Sequence, residues 1–315
     1  MQTIEILAKE LIDYAGLFPP AGLPMQSVVN NFRDYKDGPS SSMLGRLVIP
    51  TSRLEEFESL GRHLLPDTTK SKPWRISALV PPTDTEDAGF DAALLAIESF
   101  NVRHLKPQEG KAVVDAIEIK AASSSQIQEI GAALPPGIMA FIEIPHADDP
   151  SDLIECIGST TTHEESGLFA KIRTGGVTEE LIPSVDQVAR FIGACARLGV
   201  GFKATAGLHN PWRCDAKLTY EPDSESAVLH GFFNVFLAAA FAFASSGELD
   251  VTEILECKDV QPFEMADKKI SWQGNTVTTK DLRALRKSQA ISFGSCSFDE
   301  PATATTQLIE SLGSA

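Results

Sequence analysis

An α/β chain closed into a (β/α)8 barrel is what the sequence predicts, and three observations point there. Short β-rich runs alternate with helical stretches along nearly the whole chain, the pattern of parallel strands joined by crossover helices. Charged side chains collect near the C-terminal ends of the later runs, where barrels of this kind gather their reactive groups. No G-x-G-x-x-G or G-x-x-x-x-G-K-S/T loop follows any run, so neither a dinucleotide-binding sheet nor a P-loop fold competes.

Eight strands are expected, at 44–51, 74–81, 101–107, 114–122, 138–146, 168–175, 200–207 and 290–298. The third carries Arg103, His104 and Lys106 and is the least apolar of them. Helical periodicity fills the gaps at 54–65, 89–100, 126–134, 151–158, 184–198 and 226–246, and Ser184-Val-Asp-Gln187 has the spacing of a capping box. Two stretches break the rhythm. Residues 1–43, with the Pro/Gly-rich turn Tyr14-Ala-Gly-Leu-Phe-Pro-Pro-Ala21, are expected to form an N-terminal helix and arm. Residues 44–315 then make a TIM-type barrel with an insertion at 247–289 before strand eight, containing a hairpin around Gln273-Gly274-Asn275 and a polar helix at 279–288.

Composition narrows the function. The chain has 315 residues, enough for one large barrel, and its 43 acidic against 27 basic residues leave a formal net charge of -16. Such a surface repels phosphate backbones and anionic lipid, so neither nucleic acid nor a membrane is expected as a partner. Five widely spaced cysteines without a C-x-x-C pair read as reduced thiols, and with no secretory signal at the N-terminus the expected location is cytoplasmic. The segment Phe232 to Ala244 is too short to span a bilayer and apolar on every side, which suggests a buried helix and a possible homo-oligomer interface.

Two lysines stand near the ends of short apolar runs that stop at glycine, Leu168-Phe-Ala-Lys171-Ile-Arg173-Thr-Gly175 and Val200-Gly-Phe-Lys203-Ala-Thr205-Ala-Gly207. Burying an ammonium is costly and needs a reason. An amine in an apolar setting beside a second cation loses its proton more readily and can attack a carbonyl to give a Schiff base. Strand alternation places Glu118 with Lys120, Glu143 with Phe141, Lys171 with Arg173, and Lys203 with Thr205 on shared faces. If those faces look inward, they ring one cavity with acids and bases, walled by Phe169 and Phe202.

These motifs resemble the deoxyribose-phosphate aldolase branch of the class I aldolase barrels. In that family a strand-six Lys-Thr-Ser-Thr-Gly carries the Schiff-base lysine, and a strand-seven Lys-Ala-Ser-Gly-Gly carries a lysine that depresses its pKa. Lys171-Ile-Arg-Thr-Gly175 and Lys203-Ala-Thr-Ala-Gly207 fall at a similar separation, and Ala116-Ile-Glu-Ile-Lys120 places Glu118 where the family has its strand-four acid. The likeness covers about residues 100–210. It implies a lyase acting on a small anionic carbonyl compound without a cofactor, with Lys171 forming the imine, Lys203 keeping it neutral and Glu118 moving protons through a water. Arg173 replaces the serine of the first motif, and Ala206 stands before the retained Gly207, so the family's phosphate site does not carry over as such. Arg173 can grip an anion in its place.

The same residues admit other readings. Lys171 can serve a structural ion-pair layer with Glu118 or Glu143, leaving a non-catalytic metabolite-binding barrel. Glu143, His146 and His209 could hold a metal as two imidazoles and a carboxylate, in a metal-assisted lyase or isomerase. Among the remaining candidates, Lys120, Glu143, Thr205, Gly207 and His209 are expected at the substrate, and His230 in the core. Cys296 lacks an identifiable base and is expected to pack.

Overall fold

The computed structural model describes residues 1–67, 71–85, 89–106, 109–162 and 166–313. Eight parallel strands close into a barrel: β1 (Ile12–Tyr14), β2 (Leu44–Pro50), β3 (Trp74–Leu79), β4 (Ala112–Lys120), β5 (Met139–Glu143), β6 (Gly167–Arg173), β7 (Phe202–Thr205) and, after five strands outside the barrel, β13 (Ala290–Ser295), which pairs with both β7 and β1. The helices around it are α1 (Gln2–Ala8), α2 (Met25–Asp37), α3 (Leu54–Gly61), α4 (Gly89–His104), α5 (Ser124–Ala133), α6 (Ser151–Ser159), α7 (Val185–Leu198), α8 (Phe232–Ala244), α9 (Thr252–Glu256), α10 (Thr279–Ser288) and α11 (Asp299–Gly313). The (β/α)8 expectation is met.

Two assignments within it are corrected. Residues 101–104 continue α4: Phe100 and His104 are buried one helical turn apart, while Val102 and Leu105, the apolar residues that suggested a strand, face solvent. Residue 107, at the end of that expected strand, lies outside the described residues. The missing strand is β1, inside the 1–43 segment read as an arm, where Ile12 pairs with Phe293 on one side and Leu44 on the other. The segment before residue 44 is therefore part of the barrel. Three residues are too few to display a period of two, so β1 leaves little trace in the sequence.

The 247–289 stretch folds as expected. β10 (Glu264–Met265), β11 (Lys269–Trp272) and β12 (Asn275–Thr278) form a small antiparallel sheet, and Gln273 and Gly274, both at positive φ, make its two-residue turn. A second hairpin, β8 (Cys214–Lys217) with β9 (Ser226–Leu229), follows β7 and displaces the start of the apolar helix to Phe232. Within α8 every residue from Phe232 to Ala242 is buried by neighbours of the same chain, α7, α9, α10, β12 and β13 among them. That all-round burial is intramolecular, so the helix does not itself call for a second subunit. Among the described residues no helix is long and apolar enough to cross a membrane.

Alternation sorts each strand. In β4, Ile117 and Ile119 pack under the helices while Glu118 and Lys120 turn inward; in β5 and β6, Phe141 and Phe169 meet inside the barrel with ring centroids 5.5 Å apart. The exits of β6 and β7 are tied together. Thr174 N–H donates to Thr205 O (2.8 Å), its hydroxyl donates to Ala206 O (2.7 Å), and Gly207 adopts φ +75°. A Cβ on Gly175 would lie 2.8 Å from Gly207 Cα, a backbone atom with no freedom to move aside. Gly175→Ala is therefore expected to cost about 1–3 kcal/mol, read as a lower denaturant midpoint at unchanged m-value.

Candidate active site

At the centre of the barrel, Glu118 joins two lysines. Its Oε1 accepts from Lys203 Nζ (2.7 Å) and Ser77 Oγ (2.8 Å), while its Oε2 meets Lys171 Nζ at 2.8 Å. Lys203 also donates to Asp13 Oδ2 (2.5 Å) and sits 5.3 Å from the centre of the Phe141 ring, a cation–π contact. Asp13 is held in turn by Ser292 Oγ (2.7 Å) and by the backbone N–H of Arg46 (2.7 Å). Lys203 and Asp13 have no side-chain exposure, so this inner half is sealed.

The outer half opens upward. Lys171 Nζ reaches Glu143 Oε2 at 2.8 Å, and the other Glu143 oxygen has Arg173 Nε at 3.7 Å and Lys120 Nζ at 3.9 Å. Glu118, Lys120, Glu143, Lys171, Arg173, Thr205, Gly207 and His209 all line one cavity of about 1260 Å³. Its rim is partly apolar, with Phe18 and Pro20 from the loop after β1 and Leu218 and Leu229 from the β8–β9 hairpin. The cavity is large enough for a substrate well beyond a two- or three-carbon unit.

Charge compensation decides the protonation states. Burial works against the carboxylate of Glu118, but the ammonium groups of Lys171 and Lys203 outweigh it and hold the carboxyl well below the usual range. Burial opposes the charge on Asp13 too, and Lys203 and Arg46 overcome it; for Glu143, Lys171 and then Arg173 do the same. For Lys171 burial favours the neutral amine, yet Glu118 and Glu143 prevail and its pKa is raised. This reverses the expectation that Lys203 would keep Lys171 neutral. The two lysines are neighbours in the β6–β7 register, but a carboxylate lies between their charges.

The structure brings together the expected residues Glu118, Lys120, Glu143, Lys171, Arg173, Lys203 and Thr205, with Lys203 beneath the cavity floor rather than in its wall. Phe202 does not wall the site. It faces outward, onto Phe191 and Phe236 of α7 and α8, because it stands one residue out of phase with Lys203. His146 lines a smaller neighbouring cleft with Glu143, and His209 is bound to Glu300 instead, so the three do not converge. Among the described residues no group of three His, Cys, Asp or Glu side chains is placed to hold a metal. His230 is fully buried, with Nε2 at 2.8 Å from Pro183 O. The first turn of α11 carries Asp299 and Glu300, which place negative charge at the positive end of that helix and disfavour a phosphate there.

Sequence reasoning missed Asp13, Ser77 and Ser292. An acid flanked by Leu11, Ile12 and Tyr14 was the available signal for the first; the serines carried none. It also left Cys296 without a base, although His209, distant in sequence, lies against it. Compared with protein-family models, curated proteins and solved structures, the chain matches none.

The sign of each shift sets the pH response. Asp13, Glu118 and Glu143, with lowered pKa values, contribute stability that is present above their ordinary values near 4 and drains away as pH falls below them. Lys171, with a raised pKa, contributes stability that is present below its ordinary value of 10.5 and is lost as pH climbs past it. Equilibrium unfolding is thus expected to show stability falling below about pH 5 and, because His209 has its pKa raised to about 9, falling again as pH rises from about 7, with the loss of Lys171 charge adding to it above about 10. Lys203→Met, which removes the ammonium that Asp13 and Glu118 share, is expected to cost about 3–5 kcal/mol.

Proposed function

We propose that the barrel is a Schiff-base lyase in which Lys171 forms an imine with a small carbonyl compound bearing an anionic group. One observation carries the reading: Lys171 Nζ is the amine at the cavity floor, held at 2.8 Å by each of two carboxylates, Glu118 and Glu143. A site that compensates a cation at this nitrogen also stabilises the iminium that replaces the ammonium.

The two carboxylates divide the work. Glu143 faces the cavity and takes the proton of Lys171 when a carbonyl arrives; the freed lone pair then attacks the carbonyl carbon, and the displaced π pair goes to oxygen. The protonated Glu143 returns its proton to that oxygen, giving a carbinolamine, then carries a second proton from the nitrogen to the hydroxyl; the oxygen leaves as water and the nitrogen lone pair forms the iminium. Glu143, ionised again, takes the proton of a hydroxyl on the substrate's β carbon. The oxygen pair forms an aldehyde carbonyl as the Cα–Cβ bond breaks, and that bond's pair makes the enamine double bond while the iminium π pair moves to nitrogen. Glu118, fixed by Lys203 and Ser77, stays ionised and holds the charge at Nζ. Arg173 and Lys120, both at the cavity, suit the anionic end of the substrate.

A second reading, a binding barrel without chemistry, draws on the same ion pairs, since a lysine whose proton is held so firmly is a poor nucleophile at rest. Borohydride separates the two. With pyruvate or glyoxylate the expected result is a reduced adduct on the peptide containing Lys171, absent from Lys171→Met. Because Glu143 takes the Lys171 proton within the site, with none released to solvent, initial trapping is expected to change little from about pH 7 to 9 in the wild-type chain, whereas in Glu143→Gln, where the proton must leave to solvent, it is expected to quicken roughly tenfold per pH unit. Adducts spread evenly over surface lysines, with none enriched at residue 171, would leave the binding barrel standing.

A further inference from the structure

Cys296 follows β13 and lines the same cavity as Lys171. Its Sγ lies 3.8 Å from His209 Nε2, and the other nitrogen of that ring, Nδ1, is 2.6 Å from Glu300 Oε2. Tyr220 closes the group from the β8–β9 hairpin, its hydroxyl donating to Glu300 Oε2 (3.4 Å) and standing 3.7 Å from Cys296 Sγ. The loop after β7, the hairpin and α11 thus converge on one sulfur. A thiol that only fills space has a different setting. Cys195 is fully buried in α7, and burial alone pushes its thiol up.

We infer that Cys296, His209 and Glu300 form a thiol–imidazole–carboxylate relay that makes Cys296 a second nucleophile of the cavity, taking an aldehyde as a reversible hemithioacetal. The geometry follows the general logic of an activated nucleophile: a base on the reacting atom, and a third group that orients the base. The sulfur proton passes to His209 Nε2, and the sulfur lone pair forms a bond to the carbonyl carbon as the π pair moves onto oxygen. The imidazolium then returns the proton to that oxygen, so no other reactant is consumed. Reversal of the same steps releases the aldehyde. Glu300 accepts from Nδ1–H, fixes which nitrogen faces the sulfur and compensates the transient imidazolium. Burial works against a charge on His209, but its hydrogen bonds with Cys296 and Glu300 outweigh this and carry its pKa up to about 9.

The choice of an aldehyde rests on the carbonyl-lyase reading of Lys171, because cleavage of the Cα–Cβ bond of a β-hydroxy imine releases the β carbon as an aldehyde. The relay itself rests on the geometry alone. A cavity of about 1260 Å³ has room for both fragments.

Alkylation by iodoacetamide near neutral pH, followed peptide by peptide with mass spectrometry, tests the relay in the wild-type chain. Cys296 is expected to react roughly tenfold or more faster than Cys214 and Cys257, although both are more exposed. His209→Asn and Glu300→Gln are expected to slow it toward their rate, with circular dichroism as the check on folding. Excess propanal is expected to protect Cys296, and to do so equally in Lys171→Met. Labelling of Cys296 no faster than Cys214 in the wild-type chain overturns the relay without appeal to any variant. Protection that disappears in Lys171→Met places the aldehyde on the lysine and overturns the hemithioacetal. If borohydride finds no adduct at Lys171 while Cys296 stays fast and protected, the imine reading fails and the relay holds.

Discussion

A nearly buried carboxylate set between two ammonium groups is the constraint around which this barrel is arranged. Glu118 would be prohibitively costly to bury alone; Lys171 on one oxygen and Lys203 on the other compensate it and hold it ionised. Compensation then propagates. Lys203 brings Asp13, Asp13 brings Ser292 and the Arg46 backbone, Glu118 brings Ser77, and Lys171 brings Glu143. Those groups come from β1, β2, β3, β4, β5, β6, β7 and β13, so every strand of the closed sheet contributes to one network. A half-satisfied version would be worse than an apolar interior, which ties the register of the strands to the polar core as firmly as to the hydrophobic one.

The network is asymmetric, and the asymmetry separates support from chemistry. Lys203 is sealed, spends its donors on Asp13 and Glu118, and lies over the Phe141 face. Lys171 has a similar partner below but opens onto the cavity above, where Glu143 is reached in turn by Arg173 and Lys120. In the proposed reaction an anionic substrate meeting those two cations would compete with Glu143 for them, leaving Glu143 as the carboxylate best able to accept the Lys171 proton. The inner carboxylate, with donors on both oxygens, would keep its charge throughout.

Much of this is legible in the sequence, and the omissions have physical causes. The alternation in β4, β5 and β6 exposes Glu118, Glu143 and Lys171 as inward groups because those strands are long enough to show a period of two. β1 has three residues and no such period, so Asp13 stayed hidden and its strand was read as part of an arm. Asn101 to Lys106 misled in the opposite way, since Val102 and Leu105 are surface residues of a helix and its end. The protonation state of Lys171 was beyond sequence for a different reason. Charge sign and proximity follow from spacing, but whether a carboxylate lies between two cations depends on side-chain geometry across β4, β6 and β7. The pairing of Cys296 with His209 is likewise a product of the closed sheet, which brings the ends of β7 and β13 side by side.

A raised pKa at Lys171 bears on the chemistry in two opposed ways, and their balance is instructive. It lowers the fraction of free amine at neutral pH, which for an unshifted lysine is already below about one part in a thousand. It also measures how well Glu118 and Glu143 stabilise positive charge at that nitrogen, and the iminium carries the same charge in nearly the same place. Depressing the pKa with a bare neighbouring cation would speed the first attack and destabilise the iminium that follows. A compensated lysine would do the reverse: in the proposed reaction attack would be slow until a substrate draws Arg173 and Lys120 away from Glu143, and the intermediate, once formed, would lie in a site already fitted to it. In the proposed lyase, proton transfer from Lys171 to Glu143 would therefore be the step at which substrate charge governs the reaction, and selectivity for an anionic carbonyl compound would follow from the ion pairs themselves.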